Sequence, residues 1–197
     1  MKFSTMKPIV QLIVGSTRPG RVGPSIASWA KTIADKQFPE LDFEIVDLAD
    51  YPLPLPTFET QPPKNAAGVY TQPETQRFSA KVATASAFLF LTPQYNWSFS
   101  AVLKNAIDHL CVEWNDKPAG IITWAMRESD RAAVGLLPIL ECLRMPVARP
   151  LVAINAGFTV RDEKFGLRDP ATDFVGYEPT LIEAVGQIAA LLKEKSS

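Results

Sequence analysis

Residues 9–33 of the chain read IVQLIVGSTRPGRVGPSIASWAKTI, and this stretch decides the fold. The segment 9–15 is short, β-branched and largely apolar, which is typical of a strand buried on both faces of a parallel sheet. After a polar loop, apolar residues recur at offsets 0, 3, 4 and 7, the spacing that places side chains on one face of a helix. These residues are Ile26, Trp29, Ala30 and Ile33. The stretch therefore predicts a strand, a loop and a helix in succession.

The same alternation continues along the rest of the chain. Further strands are predicted at 43–48, 87–91, 119–124 and 151–155. Further helices are predicted around 73–84, over 99–110, between 136 and 149, and over 181–192. The helix between 136 and 149 is expected to start late or to be kinked, because Pro138 interrupts its apolar pattern. Such alternation predicts an α/β fold, with helices on both faces of a parallel sheet.

The number of strands also predicts where a ligand binds. Five strands suit the order 2-1-3-4-5. In such sheets ligands lie at the carboxyl ends of the strands, near the switch point between the first and third strands. The loops that follow those two strands are therefore the segments to inspect for a site.

Composition and charge narrow the class of protein. The chain of 197 residues suits one domain over 1–197. It has 20 Lys and Arg against 21 Asp and Glu, so no whole-protein field would draw it to nucleic acid or to an anionic membrane. No stretch is long enough to span a bilayer. Cys111 and Cys142 stand far apart, which argues against a redox dithiol and suits a reducing compartment. A small-molecule partner and a cytoplasmic location are expected.

The loop after the first strand, G15-STRPGRVGPS-I26, predicts an anion site. Backbone N–H groups and the positive end of the following helix attract a phosphate, and hydroxyl and guanidinium groups strengthen the attraction. The side chains that supply them are Ser16, Thr17, Arg18, Arg21 and Ser25. The loop lacks the Lys of a Walker A motif and the G-x-G-x-x-G of dinucleotide folds, which favours a monophosphate. The alternative is a glycine-rich turn that merely caps a helix.

The loop after the third strand, T92-PQYNWSFS-A101, predicts an aromatic wall. Pro93 and Asn96 suit a tight bend. Tyr95 and Trp97 present rings near the carboxyl edge of the sheet, where they can wall a flat ligand. An isolated aromatic loop more often serves packing, but the expected position of this one beside the anion loop favours a ligand.

Together the two loops resemble those of the NAD(P)H-dependent FMN reductase family. The branch concerned has a GSTRPGR-type phosphate loop, a P-E-Y-N motif and an L-K-N-A-I-D helix. The counterparts here are Gly15 to Gly23, Pro93 to Asn96, and Leu103 to Asp108. The resemblance implies a flavodoxin-like three-layer sandwich and non-covalently held FMN. It also implies reduction by NADPH or NADH, delivery to a quinone, flavin, azo compound or metal oxyanion, and a homodimer or homotetramer with the flavin near a subunit interface.

The resemblance also assigns residues to the cofactor. The phosphate would be held by Ser16, Arg18, Arg21, Val22 and Gly23. The isoalloxazine would be lined by Pro93, Gln94, Tyr95 and Asn96. Trp97 and Trp124 are expected close to the ring. Because the cofactor performs the hydride chemistry, no catalytic acid or base is required, and with His109 as the only histidine no metal site is expected.

Two departures from the family pattern lie on the ring side of the expected site. Gln94 stands where the family usually has Glu, which keeps the size of the side chain but removes its charge. The family also has a glycine-rich turn after the fourth strand, whereas 123–129 reads TWAMRES. Either this loop takes another path, with Trp124 stacking and Arg127 facing the N1/O2 edge of the flavin, or flavin affinity is weakened or lost. Alternatively, Arg127 and its charged neighbours form a solvated helix start.

Three functions remain open on the sequence alone. The first is an FMN-dependent NAD(P)H oxidoreductase that passes a hydride through bound FMN to a small acceptor. The second is a regulatory module on the same fold, with or without FMN, that has lost turnover. The third is a one-electron carrier, against which the near-neutral charge argues. The proline-rich stretch 51–63 is open as well, since it suits a surface loop or a subunit contact.

Overall fold

The computed structural model describes residues 6–55, 70–157 and 166–196, and its core is one parallel sheet. The strands are β1 Ile9–Val14, β2 Asp42–Asp47, β3 Ala87–Pro93, β4 Ala119–Ala125 and β5 Val152–Asn155. Every pair is parallel and the order is β2-β1-β3-β4-β5. The α/β class and the strand order expected from the sequence are confirmed. That the whole chain forms one domain stays a prediction.

Helices cover both faces of the sheet. They are α1 Gly23–Gln37, α2 Pro73–Ala83, α3 Ala101–His109, α4 Asp130–Cys142, α5 Pro170–Asp173 and α6 Glu178–Ser196. The short α5, capped by the Asp169 side chain, was not expected from the sequence. The helices found in the described residues include none that is long and apolar enough to cross a membrane. Of the proline-rich stretch, residues 51–55 are irregular and 56–63 lie outside the described residues.

The expected late start of the helix around Pro138 is wrong. Helix α4 begins at Asp130 and continues through Pro138 to Cys142. Proline removes one backbone donor, which leaves the carbonyl four residues earlier without its helical partner. That residue is Val134, whose side chain is 57 % exposed, so the proline lies on the solvent side of the helix where water can reach the freed carbonyl.

Alternation along the strands separates two apolar cores. Leu89 and Leu91 of β3 pack in the core shared with α1 and α6, whereas Phe88 and Phe90 pack in the core shared with α2, α3 and α4. The second core is aromatic at its centre, since the Trp114 ring lies 4.8 Å from Phe88 and 5.7 Å from Phe90, measured between centroids. The period of two in a strand places neighbouring side chains on opposite faces, which gives the three-layer sandwich.

A buried polar cluster lies near the amino end of β4, at the edge opposite the switch-point loops. Glu113 is buried and accepts hydrogen bonds from Tyr70 Oη at 2.8 Å and from Ser79 Oγ at 2.6 Å. Burial and the neighbouring Glu113 carboxylate raise the pKa of Tyr70 well above its usual range. Burial also lowers the pKa of Lys117 to about 8, although Glu113 opposes that shift. The cluster ties α2 to the segment before β4.

Close packing at Gly15 holds the ends of β1 and β3 together. Gly15 N donates to Leu91 O at 2.7 Å, and Ser100 Oγ donates to Gly15 O. The same Ser100 oxygen caps α3 by accepting from Leu103 N at 3.1 Å. A Cβ added to Gly15 would lie 2.9 Å from Leu103 Cβ, so only glycine permits this approach.

We expect Gly15→Ala to lower the free energy of unfolding by about 1–3 kcal/mol, because the added methyl group overpacks the contact with α3. Urea unfolding followed by circular dichroism measures the change. Gly176→Ala is the matched control, since nothing lies within 4 Å of a Cβ at that position. Equal stability losses in the two variants would contradict the constraint at Gly15.

Candidate functional site

Two loops meet at the switch point of the sheet. Residues 15–22 join β1 to α1, and residues 94–100 join β3 to α3. Both loops leave the carboxyl ends of neighbouring parallel strands, so they emerge at the same edge. The contact of Ser100 with Gly15 fixes one loop against the other. The site expected from the sequence is therefore assembled from segments about eighty residues apart.

A cavity of about 340 Å³ lies between these loops and the end of β4. Its volume falls within the range of roughly 300–1,000 Å³ that is usual for small-molecule sites. The sequence-predicted residues that line it are Ser16, Arg18, Arg21, Val22, Pro93, Gln94, Tyr95 and Trp124. The wall is completed by Pro19, Gly20, Ala125 and Met126. A larger groove of about 580 Å³ lies between α1 and α5, and of the residues predicted for the anion site it contains Ser25, whereas Thr17 lines a third cavity.

Ser16 lines this cavity, and its hydroxyl is buried. The residue is 2 % exposed, and its Oγ has no hydrogen-bond partner. Gly23, the first residue of α1, packs behind it, and a Cβ on Gly23 would lie only 2.2 Å from Ser16 Oγ. Gly23 thus shapes the cradle without lining the cavity. Because an unpaired buried hydroxyl is costly, its position favours a ligand oxygen as the missing partner.

The start of α1 adds to this anion site. Helix α1 has no side-chain cap, since Val22 at the cap position carries only an apolar side chain. The N–H groups of a first helical turn lack intrahelical partners, and the helix dipole is positive there. An uncapped helix start beside the Ser16 hydroxyl suits the phosphate end of a ligand.

Arg21 forms a partly buried ion pair with Asp47 at the end of β2. Arg21 Nη1 and Nη2 donate to the two carboxylate oxygens at 2.8 and 2.7 Å, and Nη1 also donates to Ser16 O at 2.9 Å. The two side chains are only 21 % and 18 % exposed. Arg21 therefore anchors the loop to β2, and Asp47 offsets its charge. A phosphate contact by Arg21 stays a prediction that depends on the N–H groups not used by Asp47.

Arg18 is the second cation of the loop, and it joins the loop to the aromatic wall. Its guanidinium carbon lies 3.7 Å from the centre of the Tyr95 ring. Such a contact at an exposed site contributes about 0.5–1 kcal/mol. Within the described ranges Arg18 forms no ion pair, so its charge is available to an anion.

Asn96 and Trp97 lie outside the cavity wall. They form the tip of a tight turn in which Tyr95 and Ser98 exchange backbone hydrogen bonds at 2.8 and 3.0 Å. Both tip residues have positive φ, 48° for Asn96 and 66° for Trp97. Trp97 is 68 % exposed, and the Arg131 guanidinium lies 3.8 Å from the centre of its ring. Trp97 therefore does not line the cavity, and its place beside a bound ring stays a prediction.

Trp124 and Arg127 occupy different sides of the fourth-strand loop. Trp124 is buried and lines the cavity, with its ring 3.4 Å from the position that a Gly23 Cβ would occupy. Arg127 is exposed and does not line the cavity, where Met126 stands instead. Helix α4 begins at Asp130, in agreement with the helix-start interpretation of this charged segment.

His109 occupies a structural position. It is fully buried, with Nδ1 3.0 Å from Thr75 Oγ1 and Nε2 2.6 Å from Pro54 O. These contacts hold the segment after β2 against α2 and α3. Among the described residues no group of three or more His, Cys, Asp or Glu side chains is arranged to hold a metal ion.

Sequence reasoning missed two residues that matter here. Asp47 carried a usable signal, because a carboxylate at the last position of a strand next to the switch point is well placed to pair with a loop arginine. The sequence gives no signal for Met126, because its place in the cavity wall depends on the path of the glycine-free loop after β4.

A parallel sheet of order 2-1-3-4-5 with an anion loop at its switch point defines the chain as a flavodoxin-like α/β protein. The solved structure of the flavoenzyme NAD(P)H:(acceptor) oxidoreductase FerB from Paracoccus denitrificans shares this fold, with a TM-score of 0.67 and 20% identity over 94% of this chain and 96% of that one. The family model for NADPH-dependent FMN reductase matches residues 8–159. The chain therefore belongs to the NADPH-dependent FMN reductase family, as its two loops predicted.

Two relatives illustrate the similarity. An NAD(P)H-dependent FMN reductase of Schizosaccharomyces pombe is 35% identical over 194 residues, which cover 98% of this chain and 94% of that protein. An NADPH:quinone oxidoreductase of Arabidopsis thaliana is 33% identical over 125 residues, 61% of this chain and 60% of that protein.

We expect Ser16→Ala to weaken FMN binding about tenfold or more without lowering the melting temperature. A hydrogen bond to a charged group is worth about 1.5–3 kcal/mol, whereas the hydroxyl has no partner in the protein whose loss could destabilise the fold. Flavin fluorescence quenching and thermal unfolding measure the two quantities. The control is Ser28→Ala, at an exposed position on α1. A fall in melting temperature with unchanged affinity would show that the hydroxyl serves the fold.

Proposed function

We propose that this protein is an FMN-dependent NAD(P)H oxidoreductase that passes a hydride through bound FMN to a small acceptor. The carrying observation is the unpartnered Ser16 hydroxyl in a cavity that is also lined by the rings of Tyr95 and Trp124. FMN combines a phosphate with a flat ring system, so in this proposal the phosphate lies at Ser16 and the start of α1, and the ring lies against the aromatic side chains. When bound, FMN supplies the two-electron chemistry, which leaves binding and orientation to the protein.

The phosphate end of the site is supported by charge and by the helix start. In this proposal the Ser16 hydroxyl and the first N–H groups of α1 bind the phosphate, and Arg18 supplies positive charge. The pair of Arg21 with Asp47 keeps the loop in position. Oriented donors fixed before binding lower the entropy lost on association.

The ring end of the site is supported by apolar surface. Pro93 and Trp124 are buried at the ends of neighbouring strands, and Tyr95 closes the side nearest the phosphate loop through its contact with Arg18. Such a wall excludes water from one part of a bound ring and leaves the cavity mouth open to a hydride donor and an acceptor. A quinone is the acceptor we favour, because a flat molecule suits the surface formed by Tyr95, Trp124 and Met126.

A second candidate is a module of the same fold that binds FMN without turnover. The observation that favours it is the glycine-free segment 123–129, which replaces backbone freedom near the ring with the side chain of Met126. This candidate shares the binding site and differs only in its reaction with NADPH or NADH.

We also propose that the protein forms a homodimer or homotetramer through the rim of the cavity. Trp97, Met126 and Val134 are exposed apolar residues, 68 %, 39 % and 57 % accessible, on the β3–α3 loop, the β4–α4 loop and α4. Clustered exposed apolar side chains mark interaction surfaces. Analytical ultracentrifugation tests this, and we expect Trp97→Asp to shift the protein toward monomer, whereas a wild-type monomer at micromolar concentration contradicts it.

The two free cysteines, Cys111 and Cys142, suit a reducing compartment, so we propose a cytoplasmic location. Fractionation of cells that express the chain tests this, and recovery with a membrane or secreted fraction overturns it.

The proposed reaction predicts binding and turnover that are measured separately. Flavin-stripped protein should bind one FMN per chain with micromolar or tighter affinity. Quenching of tryptophan fluorescence measures this binding. Riboflavin is the matched control, because it has the ring without the phosphate, and we expect it to bind at least about tenfold more weakly. The flavin absorbance should then bleach on anaerobic addition of NADPH or NADH and return on addition of benzoquinone.

The outcomes separate the candidates. Binding of FMN without bleaching by either nucleotide supports the module without turnover. No saturable FMN binding contradicts both candidates. Equal affinity for riboflavin and FMN contradicts the assignment of the Ser16 end of the cavity to the phosphate.

A further inference from the structure

The loop from β4 to α4 turns within residues 126–129 without the help of glycine. None of these residues has a positive φ, so the turn uses no left-handed position. Residues 126–128 include no glycine, proline, asparagine or aspartate that would favour a particular turn, so contacts from outside the loop are needed to fix its path. Because Ala125 and Met126 form part of the cavity wall, those contacts also decide the shape of the site.

Two serine and threonine contacts secure the far end of the loop. Thr123 Oγ1 donates to Ser129 O at 2.8 Å, and Ser129 Oγ donates to Ile154 O at 3.2 Å. Ser129 holds the N-cap position of α4, yet its hydroxyl faces the sheet and forms no cap. The first turn of α4 therefore has to find its hydrogen-bond acceptors elsewhere.

Gln94, on the aromatic loop, supplies that acceptor and also a donor. Its backbone N donates to Trp124 O at 2.8 Å. Its side-chain Nε2 donates to Glu128 O at 2.7 Å, and its Oε1 accepts from Ala132 N at 3.0 Å. Ala132 is the third residue of α4, so its N–H is one that has no partner within the helix. Both polar atoms of the carboxamide are thus bound to the backbone on either side of the loop end.

We propose that Gln94 is a positioning residue that caps α4 from another loop and so holds the β4 wall of the cavity in its binding shape. The carboxamide acts as a clamp between Glu128 and Ala132 and fixes the place of Met126. The inference rests on the proposed function only for the identity of the ligand. It changes the role expected from the family resemblance, in which Gln94 lines the flavin ring itself.

The clamp explains why glutamine stands where glutamate is usual in the family. A glutamate at position 94 would still accept from Ala132 N. It would also place a second oxygen against Glu128 O, where the amide now donates, and two acceptors at that separation repel each other. Protonation of the carboxyl group restores a donor, so the effect of Gln94→Glu should diminish at low pH.

Other charged side chains lie near the clamp, and they are the same in the wild type and in the Gln94 variants. They are Arg127, Glu128, Asp130 and Arg131 around the start of α4, and Arg18 on the phosphate loop. Each variant is therefore compared with the wild type at the same pH, and Gln94→Met shows the effect of the lost contacts without a new charge.

The test compares FMN dissociation constants of wild type, Gln94→Glu and Gln94→Met at about pH 8 and about pH 4.5, close to the ordinary pKa of a glutamate. We expect Gln94→Glu to bind about tenfold more weakly than wild type at the higher pH, and within about threefold of it at the lower pH. Gln94→Met, which has neither donor nor acceptor, should remain weak at both. Gln37→Glu, the same chemical change at an exposed position on α1, should match wild type throughout.

Two outcomes overturn the proposal. The first is wild-type affinity of Gln94→Glu at about pH 8. The second is a deficit of Gln94→Glu that is equal at both pH values, since repulsion between the carboxylate and the Glu128 carbonyl would then not be its cause. Failure of the wild type to bind FMN contradicts the proposed function and leaves the clamp to be judged by a second measurement.

That second measurement uses flavin-free wild-type protein and needs no activity. Hydrogen exchange should be slower at the Ala132 amide than at the Arg131 amide, although both lie in the first turn of α4. The protection at Ala132 should be lost in Gln94→Met. Equal exchange at the two amides in the wild type overturns the clamp whether or not FMN binds.

Discussion

At the end of β1 the first turn of α3 approaches so closely that Gly15 has no room for a side chain. The Ser100 hydroxyl forms two hydrogen bonds here. It donates to Gly15 O, and it caps α3 by accepting from Leu103 N. One side chain therefore joins a strand end, a helix start and two loops. These contacts fix the two loops relative to each other and so set the width of the cavity between them. The contact of Arg18 with Tyr95 also depends on this arrangement.

The charges around the cavity divide into those that hold structure and those that remain available. Arg21 is paired with Asp47 and fixes the loop between β1 and α1 against β2. Arg18 stacks on Tyr95 and forms no ion pair in the described parts of the chain. A loop that uses one arginine as an anchor and leaves the other for a ligand gains order without losing its attraction for an anion.

Much of the fold could be predicted because its elements depend on local pattern. The buried strands are continuous apolar runs, and the helices have apolar residues at helical spacing, so the five β–α units and their order followed from the sequence. The start of α4 was missed because propensity gave Pro138 too much weight. The proline lies on the exposed side beside Val134, where the carbonyl without its helical partner is accessible to water.

The sequence by itself determined the class of protein, the family and the two loops that form the site, since these are properties of residue type and spacing along the chain. Only the tertiary structure decided how the side chains of those loops are used. Arg21 forms an ion pair with Asp47, and the Trp97 ring lies against the Arg131 guanidinium. Gln94 forms hydrogen bonds with the backbone around the start of α4. Each partner lies more than twenty-five residues away in sequence, and hydrogen bonds are satisfied by whichever group the packed elements bring within about 3 Å.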